Sequence, residues 1–386
     1  EKGVTGPGAG AGVDLAGSRF TVADTRPKPS TGTVALKAEG AIPDILALID
    51  NPPLRLLSRA GRTPDLASGQ AVAEADLELP LMRRIKAEQV NVAARAVLTE
   101  VTSDSLIEGK TLTAARLELT ADTEDMRLAG PVELSDVPME IAFARGFGPD
   151  AGPPSVTGTL DVTPGAVAGL GIDLPSGTLD GRGAGTFSLT LPQGVAPTFD
   201  VDVALAGATV RVPALGWQKS AGSGGTLRLS GALTKPVRVD RIALDGPGLS
   251  LAGRLNLTQS GLAGAELSRL SLGSWLDAPV RWSAANGGRV TIDGGRVDLR
   301  AGLPPSASGT GPVLELSGTE VVVSDAIRLT SFRGQIASGR AGADRFSGQV
   351  NGQVPISGVI GDNGQIYLQS NEGEGGAILG AAGLNR

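Results

Sequence analysis

The sequence predicts a mostly β protein, built as an elongated, curled antiparallel sheet with one apolar face and a few short helices. Short segments in which apolar and polar residues alternate recur along all 386 residues, and 57 glycines and 25 prolines separate them. They amount to roughly twenty strands, more than an open twisted sheet holds without curling, splitting or flattening. The apolar residues are mostly small and aliphatic, with only 3% aromatics, so tight curling is easy. The sequence has neither the signature of a propeller nor the short period of a β-helix.

Residues 1–150 are predicted to form a β-rich segment with a short helical insertion near residues 43–60. The apolar pattern of Pro43–Ile49 predicts a helix that ends before two prolines, and a second turn, Leu54–Ala60, ends at a glycine. The strands predicted in this segment are Ser18–Ala23, Thr33–Ala38, Ala71–Leu79, Val90–Val101, Leu112–Ala121, Met126–Leu134 and Met139–Phe143.

Residues 151–386 are predicted to continue the repetitive sheet. A one-turn helix is expected at Pro164–Gly169 and a short terminal helix at Gly376–Leu384. The clearest unit is Gly225–Leu257, which is predicted to form three short strands joined by proline- and glycine-containing turns. Other strands are expected at Val156–Val162, Phe187–Leu191, Phe199–Leu205, Leu267–Leu272, Val280–Trp282, Val290–Ile292, Val297–Leu299, Leu314–Leu316, Val321–Val323, Ile327–Leu329, Phe346–Val350, Ile356–Ile360 and Ile366–Leu368.

The apolar positions of the central strands are the candidate functional residues. Alternation places every second side chain on the same face of a sheet. Such a face can line an open groove or pack against another sheet in a closed sandwich, and composition leaves both possibilities open. The candidates are Phe199, Val201, Val203, Leu205, Leu227, Leu229, Val237, Val239, Leu249, Leu251, Leu255 and Leu257.

The polar residues do not predict catalysis, a cofactor or a metal site. The chain has no histidine, which excludes Ser-His-Asp and Cys-His catalytic systems and ordinary zinc sites. Asp200 and Asp202 share a strand face, but the alternation places them on the solvated side. A formal charge of −6 argues against nucleic acid as a partner. The three tryptophans, Trp217, Trp275 and Trp282, are interpreted as residues at the rim or edge of the sheet.

The chain is expected to be a piece of a longer protein, since it begins at Glu1 without a methionine or a signal-like segment. It has no run of 18 apolar residues, so it is not expected to contain a membrane-spanning helix.

Several stretches resemble the AsmA-like superfamily of the Gram-negative envelope, and specifically its YhdP-like branch with the DUF3971/AsmA-like C-terminal region. They are scattered over nearly the whole chain, and they consist of residues that shape turns and strand ends rather than of catalytic motifs. The stretches are Phe20–Pro29 (FTVADTRPKP), Leu46–Arg62 (LALIDNPPLRLLSRAGR), Ala214–Lys219 (ALGWQK), Leu244–Leu257, Arg269–Val280 (RLSLGSWLDAPV), Phe346–Ile360 and Asn371–Leu384 (NEGEGGAILGAAGL).

The resemblance implies a periplasmic, bridge-like lipid transport protein. The expected function is to shield phospholipid acyl chains in a hydrophobic β-groove between the inner and outer membranes. An N-terminal anchor outside this sequence would hold the protein in the inner membrane, and outer-membrane or periplasmic partners would complete the bridge. The resemblance implies no catalytic residue.

A different function is a structural or scaffolding envelope protein. In that case the apolar faces would form a closed sandwich core and would bind no lipid. The two functions differ in how much apolar surface stays accessible in the folded protein.

Overall fold

The structure is a computed structural model, and it describes residues 12–51, 56–59, 61–82, 85, 89–148, 150–259, 261–285, 288–301, 313–337, 344–360, 366–369, 375–376 and 380. Its contacts divide the chain into two units. Unit 1 comprises residues 1–172 and 185–195, and unit 2 comprises residues 173–184 and 196–386.

The described residues are mostly in strands. The strands are β1 Arg19–Thr21, β2 Thr31–Ala41, β3 Ser68–Pro80, β4 Asn91–Ile107, β5 Lys110–Asp122, β6 Asp125–Leu134, β7 Val137–Gly146, β8 Ser155–Val162, β9 Leu179–Gly181, β10 Gly183–Thr190, β11 Thr198–Ala204, β12 Ala208–Val212, β13 Trp217–Lys219, β14 Thr226–Ala232, β15 Arg238–Gly246, β16 Leu249–Thr258, β17 Gly261–Leu272, β18 Leu276–Ser283, β19 Arg289–Asp293, β20 Arg296–Asp298, β21 Val313–Val322, β22 Arg328–Ala337, β23 Asp344–Val350, β24 Val354–Ile360 and β25 Ile366–Gln369. The helices are α1 Ile42–Ile49, α2 Leu56–Arg59 and α3 Pro164–Gly169.

Unit 1 is built on an antiparallel meander. Each of the strands from β1 to β8 pairs with the next one along the chain, and β10 pairs with β8. Two-residue turns join β4 to β5, β5 to β6 and β6 to β7, whereas longer segments connect the other strands. Consecutive antiparallel pairing gives each strand one apolar and one polar face.

Helix α1 covers one end of the apolar face of unit 1. It follows β2 directly, with Pro43 in its first turn, where a missing N–H costs no helical hydrogen bond. Its Ile42 side chain is buried in a cluster with residues of β3, β4, β5 and β6, so the helix packs on this face of the sheet. The buried members of the cluster are Ile42, Ala71, Val101, Ala114, Leu117 and Val132.

Unit 2 contains a long sheet and a small one. In the long sheet, β11 pairs with β14, and antiparallel pairs then follow in chain order from β14 to β18. Strand β18 pairs with both β19 and β20, which in turn pair with β21 in parallel, and antiparallel pairing resumes from β21 to β25. The small sheet has the order β9-β12-β13.

Irregular pairing bends the long sheet of unit 2. The register shifts in the pairs β14–β15, β15–β16, β16–β17 and β17–β18, and again in the pairs β21–β22 and β22–β23. A β-bulge bends its strand and increases the local twist. Bulges in four neighbouring strand pairs therefore curl this sheet.

The predicted fold class, a mostly β protein with curled sheet and few short helices, is confirmed. The described strand pairs are antiparallel except for the two parallel pairs of β21. Helices α1, α2 and α3 lie where the sequence predicts them. The predicted terminal helix, Gly376–Leu384, lies almost entirely outside the described residues. The proposed domain boundary at residue 150 stays a prediction.

Candidate functional site

The first three candidate residues, on β11, lie on one face of the unit 2 sheet together with those of β14. Phe199, Val201 and Val203 lie directly opposite Gly231, Leu229 and Leu227 in the antiparallel pair. Residues directly opposite each other point to the same side of a sheet. Five candidate residues therefore share this face: Phe199, Val201, Val203, Leu227 and Leu229.

The same face continues through β15 and β16. Leu229 lies opposite Ile242, and Leu227 lies opposite Leu244. Leu244 in turn lies opposite Leu251, and Gly246 lies opposite Leu249. Strand β16 thus keeps the alternation that its sequence predicts. Its candidates on this face are Leu249, Leu251, Leu255 and Leu257.

A bulge changes which residues of β15 reach the apolar face. Val239 lies opposite Gly231 and Leu255, as expected for a residue on that face. Asp240 and Arg241 then form the bulge, and the apolar positions resume at Ile242. Candidate Val237 lies before β15 and is 40% exposed. The prediction that Val237 lies on this face is therefore wrong. Since an uninterrupted alternation does not hold across the bulge, Ile242 and Leu244 lie there instead.

The small sheet covers one end of the apolar face in unit 2. Trp217 is buried, and its indole Nε1 donates a 2.8 Å hydrogen bond to the carbonyl oxygen of Pro247. A side chain at Gly246 would meet the indole ring, so this glycine permits the close packing. Candidate Leu205, just after β11, is 3% exposed at the same end. The interpretation of Trp217 as a rim residue is therefore wrong: the aromatic ring seals the closed end.

The other end of this face is open. Leu255 and Leu257 are only half-buried, and Leu262 in the next strand is 47% exposed. Trp282 and Val290, which lie opposite each other further along the sheet, are also half-buried. By contrast, Leu249 at the capped end is 3% exposed. The apolar face is therefore packed at one end and accessible at the other.

Unit 1 repeats this arrangement with smaller side chains. Away from helix α1, the apolar face is formed by residues that lie opposite one another on β2 to β6 and are half-buried. Alanines predominate, so the face is smooth as well as accessible. The residues are Leu36, Ala73, Ala75, Ala94, Ala96, Leu119, Ala121, Met126 and Leu128.

The polar faces carry ion pairs between and along strands. Arg228 bonds Asp202 across the β11–β14 pair at 3.0 Å, and both side chains are more than half exposed. The Arg254 guanidinium hydrogen-bonds Glu266 and so lowers the pKa of that carboxyl group. These pairs lie on the solvated side, as predicted for Asp202, and such exposed pairs contribute little to stability.

The described residues contain no group of histidine, cysteine or acidic side chains arranged to hold a metal ion. Within the same residues, the helices are too short or too polar to cross a membrane. The chain matches no protein-family model, no curated protein and no solved structure.

Proposed function

We propose that this chain is a segment of an intermembrane lipid transport protein that shields acyl chains on its apolar sheet faces. The observation that carries the proposal is that part of the apolar face of each unit is accessible to solvent. In unit 2 the face is accessible around Leu255, Leu257 and Leu262, although it is packed at the capped end. A closed sandwich would bury both ends alike.

The energetics favour an acyl chain as the occupant. Each methylene group that leaves water contributes about 0.8 kcal/mol. A row of aliphatic side chains supplies this free energy without specific polar contacts, so the headgroup can remain in water. Small side chains such as those of Ala75, Ala94 and Ala121 form a smooth surface. An acyl chain can slide along such a surface more easily than through a shape-specific pocket.

The place of action follows from the resemblance to the AsmA-like superfamily. We propose a periplasmic location, phospholipid as the cargo, an inner-membrane anchor outside this sequence, and outer-membrane or periplasmic partners. We propose no catalytic activity, cofactor or nucleic acid partner, since the charged residues of the described sheets mostly pair on the solvated faces.

Native mass spectrometry with lipid extraction tests the proposal on the chain purified from a Gram-negative host. Leu229→Glu places a charge on the apolar face, between Val201 and Ile242. The matched control is Ala243→Glu, which puts the same charge on the polar face, opposite Arg228. We expect co-purifying phospholipid with the wild type and the control, and less with Leu229→Glu.

A lipid-free, monodisperse and folded wild-type chain would contradict the proposal. It would favour the structural or scaffolding function, in which the apolar faces only serve packing. Circular dichroism of both variants separates loss of lipid from loss of fold.

A further inference from the structure

One arginine of unit 1 lies on the apolar face rather than on the polar one. Arg145 lies directly opposite Met126 in the β6–β7 pair, and Met126 lies opposite Ala121 in β5. Ala121 in turn lies opposite Ala94 in β4. The register therefore places Arg145, on β7, at the end of a row of half-buried apolar side chains on β4, β5 and β6.

Arg145 also differs from its neighbours in its bonding. Arg127, two positions from the β5–β6 turn, forms an ion pair with Asp125 at 3.3 Å, and Arg116 pairs with Glu118 at 3.1 Å. Both of these arginines are on the polar face. Arg145 is half-buried, and its guanidinium has neither a hydrogen bond nor an ion pair with any residue that the structure describes.

The position of Arg145 suits the headgroup of an amphiphile. It lies near the C-terminal end of β7, whereas the cluster around helix α1 contains Val132, which is near the other end of the β6–β7 pair. It therefore stands at the margin of the open part of the face. An arginine stem covers apolar surface while its guanidinium stays at the water boundary. A guanidinium there offers paired N–H donors to an oxyanion.

We propose that Arg145 binds the anionic headgroup of an acyl lipid whose chain lies along the alanine-rich row. This inference rests on the proposed function and assigns a specific residue to the phosphate headgroup of its lipid. The charge complements a phosphate, and the row of Ala94, Ala121 and Met126 accommodates the chain beside it.

The test compares two lipids with the same chain, 1-oleoyl-lysophosphatidic acid and 1-monooleoylglycerol. The chain contains no cysteine, so Thr123→Cys in the exposed β5–β6 turn provides a single labelling site for an environment-sensitive dye close to Arg145. In this labelled background, Arg145→Gln removes the proposed contact. Arg127→Gln removes the same charge from the polar face and is the matched control.

We expect Arg145→Gln to weaken binding of the lysophosphatidic acid about tenfold or more and to leave binding of monooleoylglycerol unchanged. The control should leave both affinities unchanged. If both lipids bind and Arg145→Gln affects neither or both alike, the headgroup assignment is wrong while the apolar face stands. If neither lipid binds the wild type, the proposed function itself is contradicted.

Discussion

The ammonium group of Lys219 donates a 2.6 Å hydrogen bond to the carbonyl oxygen of Leu205, at the closed end of the unit 2 apolar face. It donates two more to the carbonyl oxygens of Ala208 and Ser220, at 2.9 and 3.0 Å. Lys219 is 1% exposed. One buried side chain thus connects the small sheet to the segment that follows strand β11 and keeps that end of the face closed.

Lys219→Met should destabilise unit 2, since it leaves three carbonyl groups without their donor. We expect a loss of about 3 kcal/mol in the free energy of unfolding. All three tryptophans belong to unit 2, so urea unfolding followed by tryptophan fluorescence reports on this unit. The control Arg228→Met removes an exposed cation of the same unit that pairs with Asp202, and we expect a loss of about 0.5 kcal/mol or less. If the two variants lowered the free energy of unfolding equally, the proposed role of Lys219 in holding the small sheet would be contradicted.

The packed and open parts of the apolar face should respond differently to truncation. Leu270, which lies opposite Leu251, is 2% exposed, so Leu270→Ala should lower the free energy of unfolding by about 2–5 kcal/mol. Leu262 is 47% exposed, and Leu262→Ala should cost about 0.5 kcal/mol while it weakens acyl-chain binding. Urea unfolding and fluorescent fatty acid binding measure the two effects. A large loss of stability from Leu262→Ala would indicate a closed core.

Acid should weaken unit 2 through Asp298. The guanidinium groups of Arg300 and Arg296, at 2.6 and 2.9 Å, hold the pKa of this carboxyl group far below its usual range. Because the folded-state pKa is depressed, the stabilisation is complete above about pH 4, the pKa of an unfolded aspartate, and is lost as the pH falls further.

The variant Asp298→Asn should therefore be less stable than the wild type at pH 7, and the difference should shrink at pH 3. Urea unfolding at the two pH values measures it. The control Asp202→Asn breaks only an exposed pair with Arg228 and should change stability little at either pH. A difference that persists undiminished at pH 3 would contradict the assignment to this carboxyl group.

A charge on the alanine-rich face of unit 1 should obstruct lipid movement. Ala94→Lys places an ammonium group between Ala75 and Ala121. Ala93→Lys places the same group on the opposite face, between Asp76 and Asp122, where it is well accommodated. In a vesicle-to-vesicle phospholipid transfer assay, we expect a several-fold loss of rate with Ala94→Lys and none with Ala93→Lys. Equal rates from two folded variants would exclude this face from the lipid path.

More of the fold than of the candidate site could be predicted from the sequence. Alternation identified most strands, and proline and glycine identified helix α1 and the turns. The alternation also predicts correctly that Val201, Leu229 and Leu251 lie on one face, because each strand is regular up to its first bulge. Bulges are set by backbone pairing with a neighbouring strand and leave no periodic signal. The apolar positions Ile242 and Leu244, which follow one, were therefore missed.

The closed end of the apolar face and the position of Arg145 on it could be recognised only from the three-dimensional structure. Trp217 and Lys219 are buried only because the small sheet folds back onto the long one, a contact between segments that no local pattern predicts. Arg145 continues the alternation of Ile141 and Phe143 along β7, and this parity was the available signal. The strand predicted from the sequence, Met139–Phe143, ends before this residue, whereas β7 extends to Gly146.

Site-specific photo-crosslinking tests directly whether acyl chains lie on the apolar face of unit 2. A benzophenone amino acid at Leu255 would face the open part of the unit 2 apolar face, and the same residue at Asn256 would face solvent on the other side. In living Gram-negative cells, we expect phospholipid adducts from position 255 and few from position 256. Equal adducts at both positions, or none at 255 in a folded protein, would contradict the claim that this face shields acyl chains.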